Sequence, residues 1–218
     1  MPLSKHHTIP ALLVLAIIFW QTLGCMKEQS SEGGSSQPAS QQLTLQLKAV
    51  ANNQPLQWNT DYINPYNETY SVRQFRFYLQ HISLVRPDGS IEEGLQSDSC
   101  FLVNFADTPS TIIKLRFIPG TYTGIRLTIG VDSALNNSGA QTGSLDPLNG
   151  MFWTWNTGYI MAKLEGHSPQ ATTPNQVFEY HIGGFEGSDK VMQQVTIDFP
   201  AGNRQLVANG STRIDMQA

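Results

Sequence analysis

The sequence predicts an all-β protein, an antiparallel β-sandwich of the Ig-like kind or a closely related open-barrel variant. In several segments apolar residues alternate with polar ones, which is the period of a strand with one buried face. The alternation is clearest at Leu43, Leu45 and Leu47 and at Ile125, Leu127, Ile129 and Val131. Turn-forming residues separate such segments, as in Pro-Asp-Gly at 87–89 and Pro-Gly at 119–120. No segment shows the long apolar stripe of an amphipathic helix.

One predicted strand changes its phase. Apolar residues occupy odd positions from Phe75 to Leu79 and even positions from Ile82 onward, so the pattern slips by one residue at Gln80 and His81. A β-bulge produces such a slip and redirects the side chains around it. His81 is therefore either a metal ligand or a boundary histidine that hydrogen-bonds to a backbone carbonyl.

Composition fits one globular domain and argues against a nucleic-acid partner. The chain has 218 residues, of which 40% are hydrophobic and 14% are charged, enough to bury one substantial core. Its formal net charge is −4, and its Lys and Arg residues form no long basic run. Phosphate binding needs clustered basic residues, so we expect no nucleic acid.

The N-terminus is predicted to be a targeting signal and not part of the folded domain. An apolar run from Ala11 to Trp20 is too short to span a bilayer as a helix but fits a secretory signal. Gly24-Cys25 after it resembles a bacterial lipobox, so we predict a lipoprotein signal at 1–24, a lipidated Cys25, and a cell-envelope location on the periplasmic or outer-membrane face. The alternative is an ordinary cleaved signal with an incidental cysteine. Residues 25–42, rich in Ser, Gln and Gly, form a flexible tether, and the domain covers 43–218.

With Cys25 lipidated, Cys100 has no partner for an internal disulfide. Its neighbours Phe101, Leu102 and Val103 indicate a buried small side chain. A metal or catalytic role is the alternative, although no nearby basic residue lowers its pKa.

The stretch at 132–150 is rich in Asn, Asp, Ser and Gly, whose side chains support turns. Asp132, Asn136, Asn137 and Asp146 also offer hard oxygen ligands, but their spacing does not match a calcium-binding EF-hand. We therefore expect turn chemistry in this loop.

Trp153 and Trp155 follow that loop directly. In an extended chain, residues i and i+2 share a face, so the two indoles are predicted to lie side by side. Such a pair either fills a core or builds a site.

Five sequence blocks stand in order along the chain: Phe-Arg-Phe-Tyr-Leu at 75–79, Ile-Gly-Val-Asp-Ser at 129–133, Leu-Asp-Pro-Leu-Asn-Gly-Met-Phe-Trp-Thr-Trp-Asn-Thr-Gly-Tyr-Ile at 145–160, Lys-Leu-Glu-Gly at 163–166 and Tyr-His-Ile-Gly-Gly at 180–184. In this order they resemble the MbnP-like domain family, extracytoplasmic copper-binding proteins named after a methanobactin-associated member. The similarity runs from about residue 43 to the C-terminus, and within the family the chain is most similar to the lipoprotein branch of Bacteroidota type. Relatives run on beyond the final Arg-Ile-Asp-Met-Gln-Ala, so we expect a chain truncated at its C-terminus relative to them.

The resemblance implies a copper site built from histidine imidazoles and a tryptophan oxidised to kynurenine. An intact indole nitrogen is only a hydrogen-bond donor and cannot ligate a metal, whereas opening the pyrrole ring releases an aromatic amine. A di-haem cytochrome c peroxidase-like partner performs this oxidation in the family, so such a partner is implied.

Carried over residue by residue, the resemblance makes His181 the first ligand, with Trp153 or Trp155 as the modified residue. A second histidine ligand is either His81 or His167. The chain departs from members that place a histidine two residues after the modified tryptophan, since Trp155 and Thr157 stand there.

Met151, Met161 and Met192 flank the same blocks, and Asp132 is a further supporting candidate. Copper(I) accepts thioether ligands, but methionine also commonly fills irregular cores.

The alternative function is a metal-free cell-surface module that binds glycan or protein through exposed Trp and Tyr residues. An enzyme is not expected, because the chain carries no His-Glu-x-x-His or Gly-x-Ser-x-Gly motif and no phosphate-binding glycine loop.

Overall fold

The structure, a computed structural model, describes residues 40–96, 99–155, 158–200, 204–206 and 211–217, with the backbone only for Asp189 and Ser211–Gln217. The predicted signal at 1–24, the lipidated Cys25 and nearly all of the tether lie outside the described residues. No helix in the described part of the chain is long and apolar enough to cross a membrane.

The described chain consists mainly of strands. The strands are β1 Gln41–Lys48, β2 Val50–Ala51, β3 Gln54–Pro55, β4 Tyr62–Ile63, β5 Thr69–Val85, β6 Ile91–Glu93, β7 Phe101–Asn104, β8 Ile112–Phe117, β9 Gly120–Tyr122, β10 Gly124–Ile129, β11 Phe152–Trp153, β12 Gly158–Tyr159, β13 Ala162–His167, β14 Val177–Ile182, β15 Gln193–Asp198, β16 Arg204–Leu206 and β17 Ser211–Gln217. The helices are α1 Ser133–Asn137 and 3₁₀ turns at Thr108–Thr111, Gly143–Leu145, Pro147–Asn149, Pro174–Gln176 and Gly187–Asp189.

Two main sheets form a sandwich, as predicted. The smaller has the order β17-β1-β8, in which β1 and β17 are parallel and β1 and β8 antiparallel. The larger has eight strands along the path β14-β13-β5-β10-β15, with β4, β6 and β7 also paired to β5. Neither described sheet closes into a barrel.

The main core lies between the two sheets. Leu43, Leu45 and Leu47 of β1 are buried in one cluster with Ile125 and Leu127 of β10. These are alternating residues that indicated strands, so the period-two pattern correctly identified the buried faces of β1 and β10. Ile129 packs against the same cluster, but Val131, the last residue of the predicted set, lies beyond the end of β10 and is buried in a different cluster. The cluster also contains Phe77, Leu79, Ile82, Leu84, Val103, Ile113, Leu115, Phe117, Tyr122, Phe199 and Leu206.

The predicted β-bulge is present in β5. Arg126 pairs with Ser83 and Thr128 with Gln80, so Leu127 faces two residues of β5, His81 and Ile82. His81 has φ 47°, the left-handed conformation found at the extra residue of some bulges. The extra residue keeps the apolar side chains on the core face on both sides of the slip, and it places Gln80 and His81 on the outer face.

A loop layer (residues 131–155 and 158–160) covers part of the outer face of the large sheet. Its buried residues, which include Leu145, Met151 and Tyr159, form a second apolar cluster with Tyr78 of β5. Turn chemistry organises this layer, as predicted. Asp132 caps α1 by accepting a hydrogen bond from the Leu135 N–H, and Asp146 accepts one from the Leu148 N–H.

Cys100 packs against this second cluster but is only partly buried, less than the buried side chain that was predicted. Burial raises the pKa of its thiol to about 12, with a further contribution from the charge of Asp132. The thiol is therefore protonated at neutral pH and is a poor nucleophile.

Candidate functional site

The two tryptophans lie together at the edge of the loop layer. Trp153 belongs to β11 and Trp155 to the turn after it, and their ring centroids are 5.9 Å apart. Their contact was predicted correctly, although a turn and not a continuous strand brings them together. Trp155 is 79% exposed, whereas Trp153 packs against the second apolar cluster.

Trp153 packs closely against the chain at Gly183, immediately after β14. A β-carbon at position 183 would lie 2.4 Å from Cζ3 and 2.6 Å from Cη2 of Trp153, and 2.9 Å from the carbonyl oxygen of Tyr159. These distances are too short for any side chain, so glycine is required for the ring to sit there. Because residues i and i+2 of an extended chain share a face, the ring lies on the same side of the chain as His181.

The loop that carries Trp153 is tied to the sheet by buried polar groups. Lys163 Nζ donates to the carbonyl oxygen of Gly150 at 2.5 Å. Asn136 bridges α1 and β12, because its Nδ2 donates to the carbonyl of Val131 and its Oδ1 accepts from the N–H of Tyr159. These bonds fix the loop on both sides of the tryptophan pair.

His181 lies directly opposite Lys163 in the β13–β14 pair. Its Nε2 is 2.8 Å from Glu165 Oε1. Glu165 Oε2 also accepts a hydrogen bond from Arg73 at 3.1 Å, and Arg73 bridges to Glu179 at 2.8 Å. The imidazole is thus held by a network of charged groups on the outer face of the sheet.

The electrostatic balance keeps Glu165 ionised. Burial by itself raises the pKa of this carboxyl group, but the hydrogen bond to His181 and the charges of Lys163 and Arg73 outweigh that effect and lower the pKa below its ordinary value. An ionised carboxylate only accepts hydrogen bonds, so Nε2 of His181 carries the proton that it shares with Glu165.

This network should make the domain sensitive to acid. Because the pKa of Glu165 is lower in the folded than in the unfolded chain, its stabilisation is present above the unfolded pKa of about 4.3 and is lost as the pH falls through the folded pKa. We expect the free energy of unfolding of the wild type to fall more steeply below about pH 5 than that of Glu165→Gln. Urea unfolding at a series of pH values measures this, and parallel pH profiles for the two proteins would contradict it.

The structure does not bring His81 to His181. His181 is opposite Lys163, which is opposite Arg76 of β5, and His81 lies five residues farther along β5. At about 3.3 Å per residue and about 4.8 Å between strands, the two Cα atoms are roughly 15–20 Å apart. Nε2 of His81 instead faces Asp132 Oδ2 at 3.7 Å, a carboxylate and not the backbone carbonyl considered above. His167, the other candidate, ends β13 and is exposed.

The supporting candidates also have structural roles. Met151 and Met161 are buried. Met161 and Met192 pack around Gly130, where a β-carbon would lie 2.9 Å from Met161 Sδ and 3.0 Å from Met192 Cγ. Asp132 caps α1 and also accepts a hydrogen bond from Gln80. These contacts identify the three methionines as packing residues and the aspartate as a capping residue.

A family model described as MbnP matches residues 40–218. The chain belongs to the MbnP family. Among solved structures, MbnP from Methylosinus trichosporium is similar, with a TM-score of 0.53 and 15% identity over 73% of this chain and 71% of that chain. At that identity the similarity shows a shared fold alone. Comparison with curated proteins found no match.

The residues of this MbnP-family chain fit a copper ion only in part. Among the described residues, no group of three or more His, Cys, Asp or Glu side chains could hold a metal ion. The structure brings the His181 imidazole and the two unmodified tryptophans into one neighbourhood at the end of β14. A site with two histidine ligands does not fit, because His81 and His167 are both elsewhere.

Sequence reasoning missed three residues that build this site in the MbnP-family chain. Glu165 forms a hydrogen bond with the His181 imidazole, and Gly183 leaves room for the Trp153 ring. Asn136 accepts a hydrogen bond from the backbone of β12. Glu165 and Gly183 stand inside the blocks that carried the resemblance, and Asn136 was considered only as a cation ligand or a turn residue. Their spacing in the sequence gives no sign of these contacts.

Proposed function

We propose that this MbnP-family protein binds copper outside the cytoplasm, at the end of β14. The observation that carries the proposal is the His181–Glu165 hydrogen bond at 2.8 Å, beside an aromatic pair whose inner ring rests on Gly183. A histidine that ligates a metal commonly gives its other ring N–H to a carboxylate, which fixes the ring and its tautomer. With Nε2–H directed to Glu165, Nδ1 of neutral His181 keeps a lone pair for a metal.

The second donor would come from oxidation of Trp153 or Trp155 to kynurenine, since an intact indole offers no lone pair. Bound copper would supply a soft ion that accepts nitrogen and thioether donors. We assign the oxidation to a di-haem cytochrome c peroxidase-like partner. Trp155 is open to such a partner because 79% of it is exposed, whereas Trp153 is held by its contact with Gly183.

We further propose that the protein is a copper carrier or store and not an enzyme, held at the cell envelope by a lipid on Cys25. Anchoring would place the copper site on the periplasmic or outer-membrane face. The family relationship and the lipobox resemblance support this part of the proposal.

The test uses protein purified from its native host, so that any oxidising partner has acted. Metal analysis is combined with mass spectrometry of the peptide covering 150–163. We expect stoichiometric copper and a kynurenine mass shift in the wild type. His181→Ala should lose the copper, whereas His81→Ala should keep it, because His81 lies far from His181. Unchanged copper in His181→Ala would reject the assignment.

A metal-free recognition surface is the second candidate function. It is favoured by the large exposed area of Trp155 and by the lack of a group of three acidic, histidine or cysteine ligands among the described residues. On this alternative, a glycan or protein partner would shift the fluorescence of Trp153 and Trp155, and a chelator would leave both fluorescence and binding unchanged.

A further inference from the structure

A second candidate site lies on the other face of β14. Side chains alternate along a strand, so Phe178 and Tyr180 project to the side opposite His181. They line an open cleft of about 470 Å³ together with Tyr70 of β5, a volume within the usual range for small-molecule sites. The ring centroids of Phe178 and Tyr180 are 5.4 Å apart with planes tilted by 34°, and Tyr180 is 59% exposed.

A glycine lets Phe178 pack closely against the neighbouring strand. Gly166 of β13 lies directly opposite Phe178. A β-carbon at position 166 would lie 2.4 Å from Cζ of Phe178 and 2.0 Å from the carbonyl oxygen of Ser71. The Phe178 ring therefore packs directly against the backbone of β13 at Gly166. Phe178 and its exposed neighbour Tyr180 together form an aromatic platform that lines the cleft.

The rim of the cleft carries polar groups that are already held in place. Asn64 Nδ2 donates to Glu68 Oε2 at 2.8 Å, and Asn64 Oδ1 accepts from the backbone N–H of Glu68. Across the cleft, Ser168 Oγ donates to Gln170 Oε1 at 3.0 Å. A carboxylate and two amides thus lie beside the aromatic platform, and because they are already hydrogen-bonded, they lose little conformational entropy when a ligand binds.

The charge of the cleft decides between ligand classes. Its lining residues, all in the described part of the chain, include one carboxylate, that of Glu68, and no Lys, Arg or His. The chain as a whole is acidic, so phosphorylated or sulfated ligands are disfavoured. An extended peptide pairing along β14 is also disfavoured, because the charged side chain of Glu179 sits on that strand.

We propose that this cleft binds a neutral oligosaccharide. One sugar ring packs its C–H face on Phe178 and Tyr180, and its hydroxyl groups bond to Glu68, Asn64 and Gln170. A sugar matches the cleft because it combines an apolar ring face with hydroxyls that both donate and accept hydrogen bonds. The site faces away from His181, so this binding is independent of copper.

The test titrates the folded protein with cellohexaose, mannohexaose, xylohexaose and chitohexaose, followed by saturation-transfer NMR and calorimetry. At least one should bind, and Tyr180→Ala should weaken that binding by about tenfold or more through loss of ring stacking. Glu68→Gln should weaken it by a smaller factor. Trp155→Ala, which removes an exposed aromatic at the tryptophan pair, is the matched control and should bind as the wild type does.

Tyr180→Ala should also keep the thermal midpoint and copper content of the wild type, which separates this proposal from the copper site. The proposal is overturned if none of the four sugars binds, if binding survives Tyr180→Ala, or if Trp155→Ala abolishes it. A parallel selection from a phage-displayed library of random dodecapeptides covers the competing class. Peptides that depend on Tyr180, in the absence of sugar binding, would replace the oligosaccharide with a peptide ligand.

Discussion

Asn136→Ala is expected to lower the free energy of unfolding by about 3 kcal/mol, an unusually large effect for one polar side chain. Asn136 is buried, and its Nδ2 donates to the carbonyls of Val131 and Asp132 at 2.7 and 3.0 Å. Its Oδ1 accepts from the N–H of Tyr159 at 3.0 Å. Alanine leaves the Val131 carbonyl and the Tyr159 N–H without their side-chain partner and opens a small cavity, whereas the Asp132 carbonyl keeps its bond from the backbone N–H of residue 136.

Chemical denaturation measures this loss. The matched control is Asn137→Ala, which changes the exposed neighbour in the same helix and should stay within about 0.5 kcal/mol of the wild type. Since Asn136 holds β12, the emission of Trp153 should also shift in the folded variant. Equal stability for the two alanine variants would show that the hydrogen bonds of Asn136 contribute little to the fold.

Gly183→Ala is expected to displace the Trp153 ring from its contact with residue 183 and to lower the free energy of unfolding by on the order of 1–3 kcal/mol. The added carbon would meet two ring atoms at 2.4 and 2.6 Å and a backbone oxygen at 2.9 Å. The indole is rigid, so a side-chain rotation that relieves this clash also removes the ring from the second apolar cluster. The loop that ends at Trp155 must then move away from β14.

A double-mutant cycle with Trp153→Ala isolates that contact. If the clash with the ring dominates, Gly183→Ala should cost less in the Trp153→Ala background than in the wild type. Near-ultraviolet circular dichroism reports the loss of the fixed indole. In protein from the native host, Gly183→Ala should also lose copper while retaining the His181–Glu165 pair. Additive effects on the free energy of unfolding, with an unchanged near-ultraviolet circular dichroism signal, would mean that the contact with Gly183 does not position Trp153.

Much of the fold was predictable because it depends on local patterns. The alternation of leucines at 43, 45 and 47 identified β1 and its buried face, since side chains in a strand alternate regardless of the partner strand. The phase slip at Gln80 and His81 identified the bulge for the same reason. Asp132 and Asp146 cap turns through bonds to residues two or three positions away, which a sequence pattern also reveals.

The site was predictable only in outline. His181 and the tryptophan pair were recognised because they stand in blocks shared with the MbnP family. The partner of His181 was not, because Glu165 reaches it through the register of β13 and β14. The proposed pairing with His81 failed on the same ground, since strand order and register separate the two histidines. Period-two alternation says which face a side chain occupies but nothing about which strand lies next to it.

The sequence by itself determined the all-β class, the buried faces of the strands, the bulge that turns His81 outward, and membership of the MbnP family. Only the tertiary structure decided that Glu165 bonds to His181 and that Asn136 bonds to β12. It also decided that Trp153 and Phe178 pack against Gly183 and Gly166. The physical reason is the separation along the chain between the residues that interact. Alternation and capping are set by neighbours along the chain, whereas a ring on a glycine or a carboxylate on an imidazole requires two distant strands to pair in one register, which single-chain periodicity does not encode.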